Sequence, residues 1–113
     1  MENCLFCKII SGDIPSTKIF ENADVLAFHD ISPQAPFHAV IIPKTHITGA
    51  NKIDADNSVL IGKIFEAAAL IAQQHNLDSG FRIVNNCGED AGQTVEHIHF
   101  HMLAGRNLAW PPG

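Results

Sequence analysis

Imidazole and apolar side chains alternate along one run near the carboxyl end of the chain, Val95-Glu96-His97-Ile98-His99-Phe100-His101-Met102-Leu103. Successive side chains of a β-strand face opposite sides, so an extended conformation puts the three histidines on one face. The apolar side chains of the run then share the other face and can join a hydrophobic core. The alternation therefore predicts a strand over residues 96–104 whose histidine face lines a cleft.

Packing alone is a poor reason for three imidazoles on one face, because every ring carries polar nitrogens that need partners. A solvated strand face and an all-histidine metal site remain as alternatives. A catalytic or binding cleft is favoured because a polar loop with two glycines, residues 86–94, comes directly before the run. Backbone N–H groups around residues 92–95, the Thr94 hydroxyl and the Asn86 amide are donors suited to a phosphate group.

Imidazole is suited to attack on phosphorus, because its ordinary pKa of about 6.5 leaves much of it neutral and nucleophilic at pH 7. The adduct that it forms with phosphorus is labile. His99 is the candidate nucleophile, since a histidine stands on each side of it to orient its ring or to move protons.

The rest of the chain predicts a mixed architecture of helices and strands. Short β-prone runs cover residues 18–21, 25–29, 38–42 and 81–85, and helical patterns cover residues 5–11 and 58 to about 75. Asp54, Asp56 and Ser58 offer oxygens that could cap the longer helix. One long helix among strands of antiparallel type indicates the α+β class and not a doubly wound parallel sheet.

Length and charge narrow the range of functions. The 113 residues suit one domain, and we expect residues 1–113 to form it. Twelve acidic residues against seven Lys and Arg give a net charge of −5 without a basic cluster, which argues against nucleic acid as a partner. The apolar runs are too short to span a membrane and no signal-peptide pattern opens the chain, so we expect a cytoplasmic protein without a membrane partner.

The longer helix carries more apolar residues than one sheet normally covers. Its main stripe consists of Leu60, Ile64, Ala67, Ala68 and Ile71, and Val59, Phe65, Leu70 and Ala72 widen it. This width fits either a deeply buried helix or a helix that also faces a second subunit.

The cysteines indicate a metal pair or a redox pair and not a structural disulfide. Cys4 and Cys7 have the Cys-x-x-Cys spacing, and Cys87 stands alone as a buried or idle thiol. A disulfide oxidoreductase is excluded because no thioredoxin-like βαβ pattern accompanies the pair.

The triad His97-x-His99-x-His101, preceded by Gly92-Gln93-Thr94, resembles the signature of the histidine triad superfamily. The resemblance covers essentially the whole chain, including residues 28–36, Ile42-Pro43-Lys44-x-His46 and the closing Trp110-Pro111-Pro112-Gly113. These stretches are most similar to the Hint branch, the histidine triad nucleotide-binding proteins, of the bacterial type with an N-terminal Cys-x-x-Cys.

The resemblance implies a five-stranded antiparallel sheet with one long and one short helix, paired into a homodimer with a ten-stranded sheet. It also implies hydrolysis of purine nucleoside phosphoramidates, in which His99 forms a nucleotidyl-histidine that water then resolves. The implied partners are AMP, GMP or their phosphoramidates, and no organic cofactor is implied. Trp110 would reach toward the active site of the partner subunit.

The resemblance further assigns roles to individual residues. Catalysis falls to His99, His101 and Thr94. Asp30 would hold the ribose hydroxyls, although an Asp before Ser32-Pro33 equally fits a turn cap. The residues implied in nucleotide binding are Leu5, Phe6, Ile9, Phe28, His29, Asp30, Ile31, Asn86, Gly92, Gln93, Thr94, Val95, His99 and His101. Taken singly, Phe6, Phe28 and Ile31 also fit ordinary core positions.

Relatives that carry the Cys-x-x-Cys pair bind zinc, which implies the ligands Cys4, Cys7, His46 and His97 here. Two thiolates and two imidazoles form a closed tetrahedral set, so this zinc would be structural. The alternative is two small apolar residues in a short helix with no metal. A zinc-bound His97 cannot also move protons, which would leave that role to His101.

A nucleotidyl-histidine hydrolase is therefore the predicted function. The alternatives are a zinc-stabilised nucleotide-binding interaction module with incidental catalysis, and a dinucleoside polyphosphate hydrolase. His99 and Thr94 favour an enzyme over the interaction module, since nucleotide binding alone needs no nucleophile.

Overall fold

The computed structural model describes residues 3–113, which form one antiparallel sheet with a helix on each side. Its elements are α1 (Leu5–Ser11), β1 (Lys18–Glu21), β2 (Val25–His29), β3 (Phe37–Pro43), the short 3-10 helix Ala50–Lys52, α2 (Ser58–Gln74), β4 (Phe81–Val84) and β5 (Phe100–Ala104). The strands lie in the order β1-β2-β3-β5-β4, and all neighbours are antiparallel. The predicted α+β class, with five antiparallel strands, one long helix and one short helix, is confirmed.

The sheet separates two hydrophobic clusters. Successive side chains of a strand point to opposite faces, so Ala39 and Ile41 of β3 pack toward α2, whereas Val40 and Ile42 pack toward α1. The larger cluster, under α2, provides most of the core. The smaller cluster, under α1, leaves room on the same face of the sheet for polar groups.

The short helix α1 begins and ends where the sequence predicts. Cys4 is its N-cap, and the Cys4 Sγ accepts the backbone N–H of Cys7 at 3.3 Å. Gly12 ends the helix with a φ of 88°, a left-handed conformation that glycine adopts at little cost. Both cysteines therefore lie at the amino end of α1.

The long helix α2 buries the centre of the predicted apolar stripe against the sheet, with Ile64, Ala67, Ala68 and Ile71 inside. Val59, Phe65 and Leu70 stay exposed, so the sheet does not cover the whole apolar surface of this helix. No helix within residues 3–113 has the length and apolar character needed to cross a membrane.

The start of α2 differs from the expected capping. Its N-cap is Asn57, which makes no side-chain cap bond. The Asp54 carboxylate instead accepts the backbone N–H groups of Asp56 and Asn57 in the preceding turn. The acidic residues before the helix therefore order that turn and do not cap the helix itself.

The prediction that the last strand begins at residue 96 is wrong, because β5 begins at Phe100. In the register of β3 and β5, Ile41 pairs with Phe100, so continuing the ladder would bring Pro43 opposite Ile98. Proline has no N–H to donate to a ladder. The backbone N–H of Ile98 donates to the carbonyl of Ile47 instead, at 2.6 Å. The segment 96–99 thus leaves the sheet while Ile98 still packs under α2.

Candidate active site and metal centre

A cleft of about 400 Å³ lies between α1, the end of β2 and the segment before β5. One end of the cleft is apolar and the other is polar. The predicted nucleotide-binding residues that line it are Leu5, Phe6, Ile9, Phe28, His29, Asp30, Ile31, Asn86, Gly92, Thr94, Val95, His99 and His101. Ile14, Pro15 and Val40 also line it. No sequence pattern distinguishes these three residues from ordinary apolar packing.

Gln93 does not line the cleft, which differs from the expectation that it contacts the nucleotide. Its Nε2 donates to the carbonyls of Thr48 at 2.8 Å and Val95 at 3.0 Å, and its Oε1 accepts the N–H of Gly88 at 2.9 Å. Both ends of the Gln93 amide are therefore engaged in hydrogen bonds to backbone groups. Gln93 therefore fixes the shape of the loop that carries Thr94.

His99 lies in the wall of the cleft and is 5% exposed. Its Nδ1 lies 2.7 Å from the backbone oxygen of His97. A carbonyl only accepts, so Nδ1 carries the proton of the neutral ring and Nε2 keeps its lone pair. Phe6 packs edge-on against the same ring, with centroids 5.0 Å apart. These contacts hold an imidazole in the tautomer and orientation that a nucleophile needs.

A second pair of imidazoles, His38 of β3 and His101 of β5, lies beside His99. The backbone N–H of Gln34 donates to His38 Nδ1 at 3.0 Å, which leaves the proton of neutral His38 on Nε2. His38 Nε2 then donates to His101 Nδ1 at 2.8 Å. Neutral His101 accordingly carries its own proton on Nε2, as a donor at the cleft wall.

Burial favours the neutral form of both rings of this pair. It lowers the pKa of His38, and burial together with the neighbouring histidines lowers the pKa of His101. The Asp30 carboxylate opposes both shifts, since its Oδ2 lies 3.5 Å from His38 Nε2 and 3.8 Å from His101 Nδ1. Neutral rings are the state that the hydrogen-bond chain from Gln34 to His101 requires.

Asp30 fits both interpretations of its sequence position. Its Oδ1 accepts the backbone N–H of Ser32 at 2.7 Å, as a turn cap does. The residue also lines the cleft. One carboxylate can therefore order the turn and still offer acceptor capacity to a bound molecule.

His38 is the site residue that the sequence analysis missed. It opens an apolar run, His38-Ala39-Val40-Ile41-Ile42, whose pattern predicts a strand and no functional role. The available signal was its polarity, because a histidine in a strand that is buried on both faces needs a partner for its ring. In the register of the sheet, His101 pairs with Val40, one same-face position along from His38.

Cys4, Cys7, His46 and His97 form a compact group next to the cleft, and their donor atoms all lie within 4.8 Å of one another. His97 Nδ1 lies 3.4 Å from Cys4 Sγ, 3.6 Å from Cys7 Sγ and 3.1 Å from His46 Nδ1. In a tetrahedral zinc site, the usual bond lengths separate N and S ligands by about 3.6 Å and two N ligands by about 3.3 Å. The spacing and the donor set both fit a zinc ion.

The ring of His97 is already oriented for this group. Its Nε2 donates to the carbonyl of Pro43 at 2.8 Å, so Nδ1 of the neutral ring has no proton and faces the two thiols. Metal-ligating histidines usually make such a bond with their second nitrogen. Burial also lowers the pKa of His97, which keeps the ring neutral.

The expectation that all three triad imidazoles share one cleft is therefore corrected. His99 and His101 line the cleft, whereas His97 is fully buried with its ring in the cysteine group. The cause is the departure of residues 96–99 from the ladder at Pro43, which supplies the carbonyl that fixes the His97 ring.

Residues 11–108 match the family model of the HIT domain. The chain is 47% identical over 111 residues to the 14 kDa zinc-binding protein of Brassica juncea, an overlap of 96% of this chain and 98% of that protein. It is also 47% identical over 111 residues to Adenylylsulfatase HINT1 of Arabidopsis thaliana, covering 96% of this chain and 76% of that protein. The HIT family hydrolase from Legionella pneumophila Philadelphia 1 has a fold that matches with a TM-score of 0.96 and 50% identity, over 98% of this chain and 100% of that one. By its sequence, its sheet and its histidine triad, this chain belongs to the HIT domain family.

Proposed function

We propose that this protein hydrolyses purine nucleoside phosphoramidates at the bond between phosphorus and nitrogen, through a nucleotide held covalently on His99. The observation that carries the proposal is the 2.7 Å hydrogen bond from His99 Nδ1 to the carbonyl of His97. It leaves Nε2 as the reactive nitrogen, and binding alone requires no such nitrogen. The words hydrolase and adenylylsulfatase in the names of similar proteins support the same class of enzyme.

The composition of the cleft supports a nucleotide as the bound part of the substrate. The apolar end, with Phe6, Phe28 and Ile31, suits a flat purine base. Asp30 would accept hydrogen bonds from the ribose hydroxyls. The Thr94 hydroxyl, the Asn86 amide and backbone N–H groups of the loop would donate to the phosphate oxygens.

The reaction would proceed in two displacements at phosphorus. The His38–His101 pair takes up one proton from solvent as the anionic substrate binds and releases one when the product leaves. His99 Nε2 attacks the α-phosphorus, the bond to the amine breaks, and the amine leaves with the proton that the pair has taken up. Water then attacks the same phosphorus, the bond to His99 breaks, and a proton from water returns to the pair. The products are a nucleoside monophosphate and an amine, and the enzyme regains its first state.

We also propose that Cys4, Cys7, His46 and His97 hold a zinc ion. Two thiolates and two imidazoles fill a tetrahedral shell and leave no position for substrate, so the ion would supply stability and not Lewis acidity. The name of the similar Brassica juncea protein, a 14 kDa zinc-binding protein, supports this assignment.

A homodimer with a continuous ten-stranded sheet would form through β4. Within residues 3–113, the two edges of the sheet are β1 and β4. The edge strand β1 carries the ion pair of Lys18 and Glu21, and charged side chains discourage pairing at an edge. The edge strand β4 instead carries exposed Phe81, and its Arg82 donates to the backbone of the tail that bears exposed Trp110.

The name of the Arabidopsis thaliana relative favours adenylyl sulfate as a second candidate substrate. Both substrates present an adenylyl phosphorus to His99 and differ in the leaving group. Sulfate leaves as a stable anion and needs no proton, whereas an amine must be protonated. Turnover of adenylyl sulfate should therefore depend less on His101 than turnover of a phosphoramidate does.

The deciding experiment measures AMP release from adenosine 5′-phosphoramidate, adenylyl sulfate and a diadenosine polyphosphate, with wild type, His99→Ala and His101→Ala. Fastest turnover of the phosphoramidate, lost in His99→Ala, supports the proposal. Faster turnover of adenylyl sulfate that survives in His101→Ala assigns the second candidate instead. AMP binding without turnover of any substrate would identify a nucleotide-binding interaction module.

A further inference from the structure

One short helix contributes to both candidate sites. Cys4 and Cys7, at the amino end of α1, belong to the metal group, whereas Leu5, Phe6 and Ile9 line the cleft. Seven residues make less than two full turns, and a helix of this length is not stable by itself in water. The position of α1 therefore depends on its contacts with the rest of the protein, and both sites provide such contacts.

The ring of Phe6 lies between the metal group and the candidate nucleophile. Its centroid is 5.9 Å from that of His97 and 5.0 Å from that of His99, and it meets both rings edge-on. It also meets Phe28 at 5.7 Å, where the apolar end of the cleft is formed. Because Phe6 is buried in a close-packed cluster, it cannot move without changing that end of the cleft.

We propose that α1 couples the metal centre to the nucleotide cleft through Phe6, so that metal and nucleotide each raise the affinity for the other. This inference rests on the proposed function, which supplies both ligands. Phe6 acts here as a positioning residue, in addition to bounding the space for a base. An ion on Cys4, Cys7 and His97 fixes the helix and the histidine on either side of its ring.

The coupling is expected to be positive because both ligands hold α1 in the same position. A nucleotide that binds against Leu5, Phe6 and Ile9 needs α1 in place, and it loses affinity to the extent that the helix is displaced. A metal ion that already holds α1 removes this loss. Coupling between two binding equilibria is reciprocal, so the nucleotide strengthens metal binding by the same factor.

Calorimetric titration of AMP into zinc-loaded and zinc-stripped protein measures the coupling. We expect the Kd for AMP to rise at least about fivefold when zinc is removed, with an unchanged far-UV circular dichroism spectrum. Phe6→Leu keeps an apolar side chain without the edge-on ring, and should bind both ligands with weaker coupling than the wild type, because only Leu5 and Ile9 then join the nucleotide to α1 as before. Phe20→Leu, which alters an aromatic ring in the cluster under α2, is the matched control and should keep the wild-type ratio. Equal affinities for AMP in the two forms of the wild type overturn the proposal.

Zinc transfer to a coloured chelator provides a second measurement that does not depend on a stable metal-free protein. AMP should slow the transfer from wild type and from Phe20→Leu by about fivefold or more, and should slow it less in Phe6→Leu. A transfer rate that AMP does not change in the wild type overturns the coupling. Absence of AMP binding would remove the proposed nucleotide function, and absence of zinc would remove the proposed metal site and the coupling with it, whereas independent binding of both removes the coupling alone.

Discussion

The Nδ1 atom of His99 lies 2.7 Å from the backbone oxygen of His97, so a residue of the metal group orients the candidate nucleophile through the main chain. His97 is in turn fixed by its own bond to the carbonyl of Pro43, at 2.8 Å. Each neutral ring donates one N–H to a backbone carbonyl, and its other nitrogen carries no proton. Both histidines thereby have defined tautomers. The unprotonated Nδ1 of His97 faces the thiols, and the unprotonated Nε2 of His99 is available to the cleft.

Replacement of the candidate nucleophile tests the covalent mechanism. His99→Gly should lower turnover of adenosine 5′-phosphoramidate by at least about a thousandfold, equal to roughly 4 kcal/mol of activation barrier. Mass spectrometry of quenched wild-type enzyme should show a nucleotidyl adduct on the peptide that contains His99. His75→Gln, at the end of α2 and outside the cleft, should keep the wild-type rate. Near-normal turnover by His99→Gly would exclude the assignment.

Asp30→Asn tests the proposed contact with the ribose. The amide keeps an oxygen for the backbone N–H of Ser32 but loses the negative charge that ribose hydroxyls would bind. Hydrogen bonds to a charged group contribute about 1.5–3 kcal/mol, so AMP should bind about tenfold or more weakly to the variant. The affinity for 2′,3′-dideoxy-AMP should change much less. Equal losses for both nucleotides, measured by calorimetry, would assign Asp30 to the turn alone.

Zinc content and thermal stability test the metal centre. Purified protein should approach one zinc per chain, and Cys4→Ser should lower both zinc content and the Tm, by more than about 5 °C. The reduction in kcat at saturating substrate should be smaller than tenfold, because a structural ion takes no part in the displacement. Cys87→Ser is the control, since its thiol contacts Asn51 and lies outside the metal group. Protein that contains no zinc and takes up none at micromolar concentration contradicts the site.

Stability should fall as the pH drops below about 6.5, the ordinary pKa of histidine. Burial lowers the pKa of both His38 and His101 in the folded protein, with Asp30 opposing the shift and His99 adding to it for His101. Between the lowered values and about 6.5, the unfolded chain binds more protons than the folded chain, so acid favours unfolding. Urea unfolding at several pH values should show this slope.

His38→Gln isolates the contribution of the buried pair to that slope. Glutamine offers an acceptor and a donor but does not titrate, so the variant should lose less stability between pH 7.5 and pH 5.5 than the wild type does. Both proteins keep all four metal ligands, and acid release of a metal therefore affects them alike. Identical slopes in the two proteins would contradict a neutral, buried His38.

Light scattering tests the homodimer. At micromolar concentration, the mass should be about twice 12.3 kDa. Phe81→Lys places a charge on the exposed apolar edge of β4 and should shift the mass toward one chain. Ile31→Lys, an equally drastic change at the cleft rim, should leave the mass unchanged. A wild-type monomer would rule out the ten-stranded sheet.

Sequence patterns predict the structure correctly where it depends on residues that are close together in the chain. The turn at residues 22–24 separates two β-prone runs, and the observed strands β1 and β2 have the predicted bounds. Gly12 ends α1 as expected, because the left-handed conformation there suits glycine. The alternation of the triad also correctly assigns Ile98, Phe100 and Met102 to the core under α2.

Predictions from sequence patterns are wrong or incomplete where the structure depends on a residue that is distant in the chain. The start of β5 depends on Pro43, which is far away along the chain and would lie opposite Ile98 only if the observed register continued. His38 was overlooked because its role depends on His101, which the sheet brings to it. Gln93 belongs to a recognised motif, yet the motif does not reveal that its side chain turns back to Thr48 and Val95.

The division of the core by the sheet has a consequence for how such a chain can change over generations. The cluster under α1 and the cluster under α2 have no residue in common. Stability effects of substitutions at well-separated sites usually add, so the effect of a substitution deep in one cluster is largely independent of the packing in the other. Variation in α1 and in the loop of residues 86–94 can therefore change the shape of the cleft while the packing beneath α2 stays as it is.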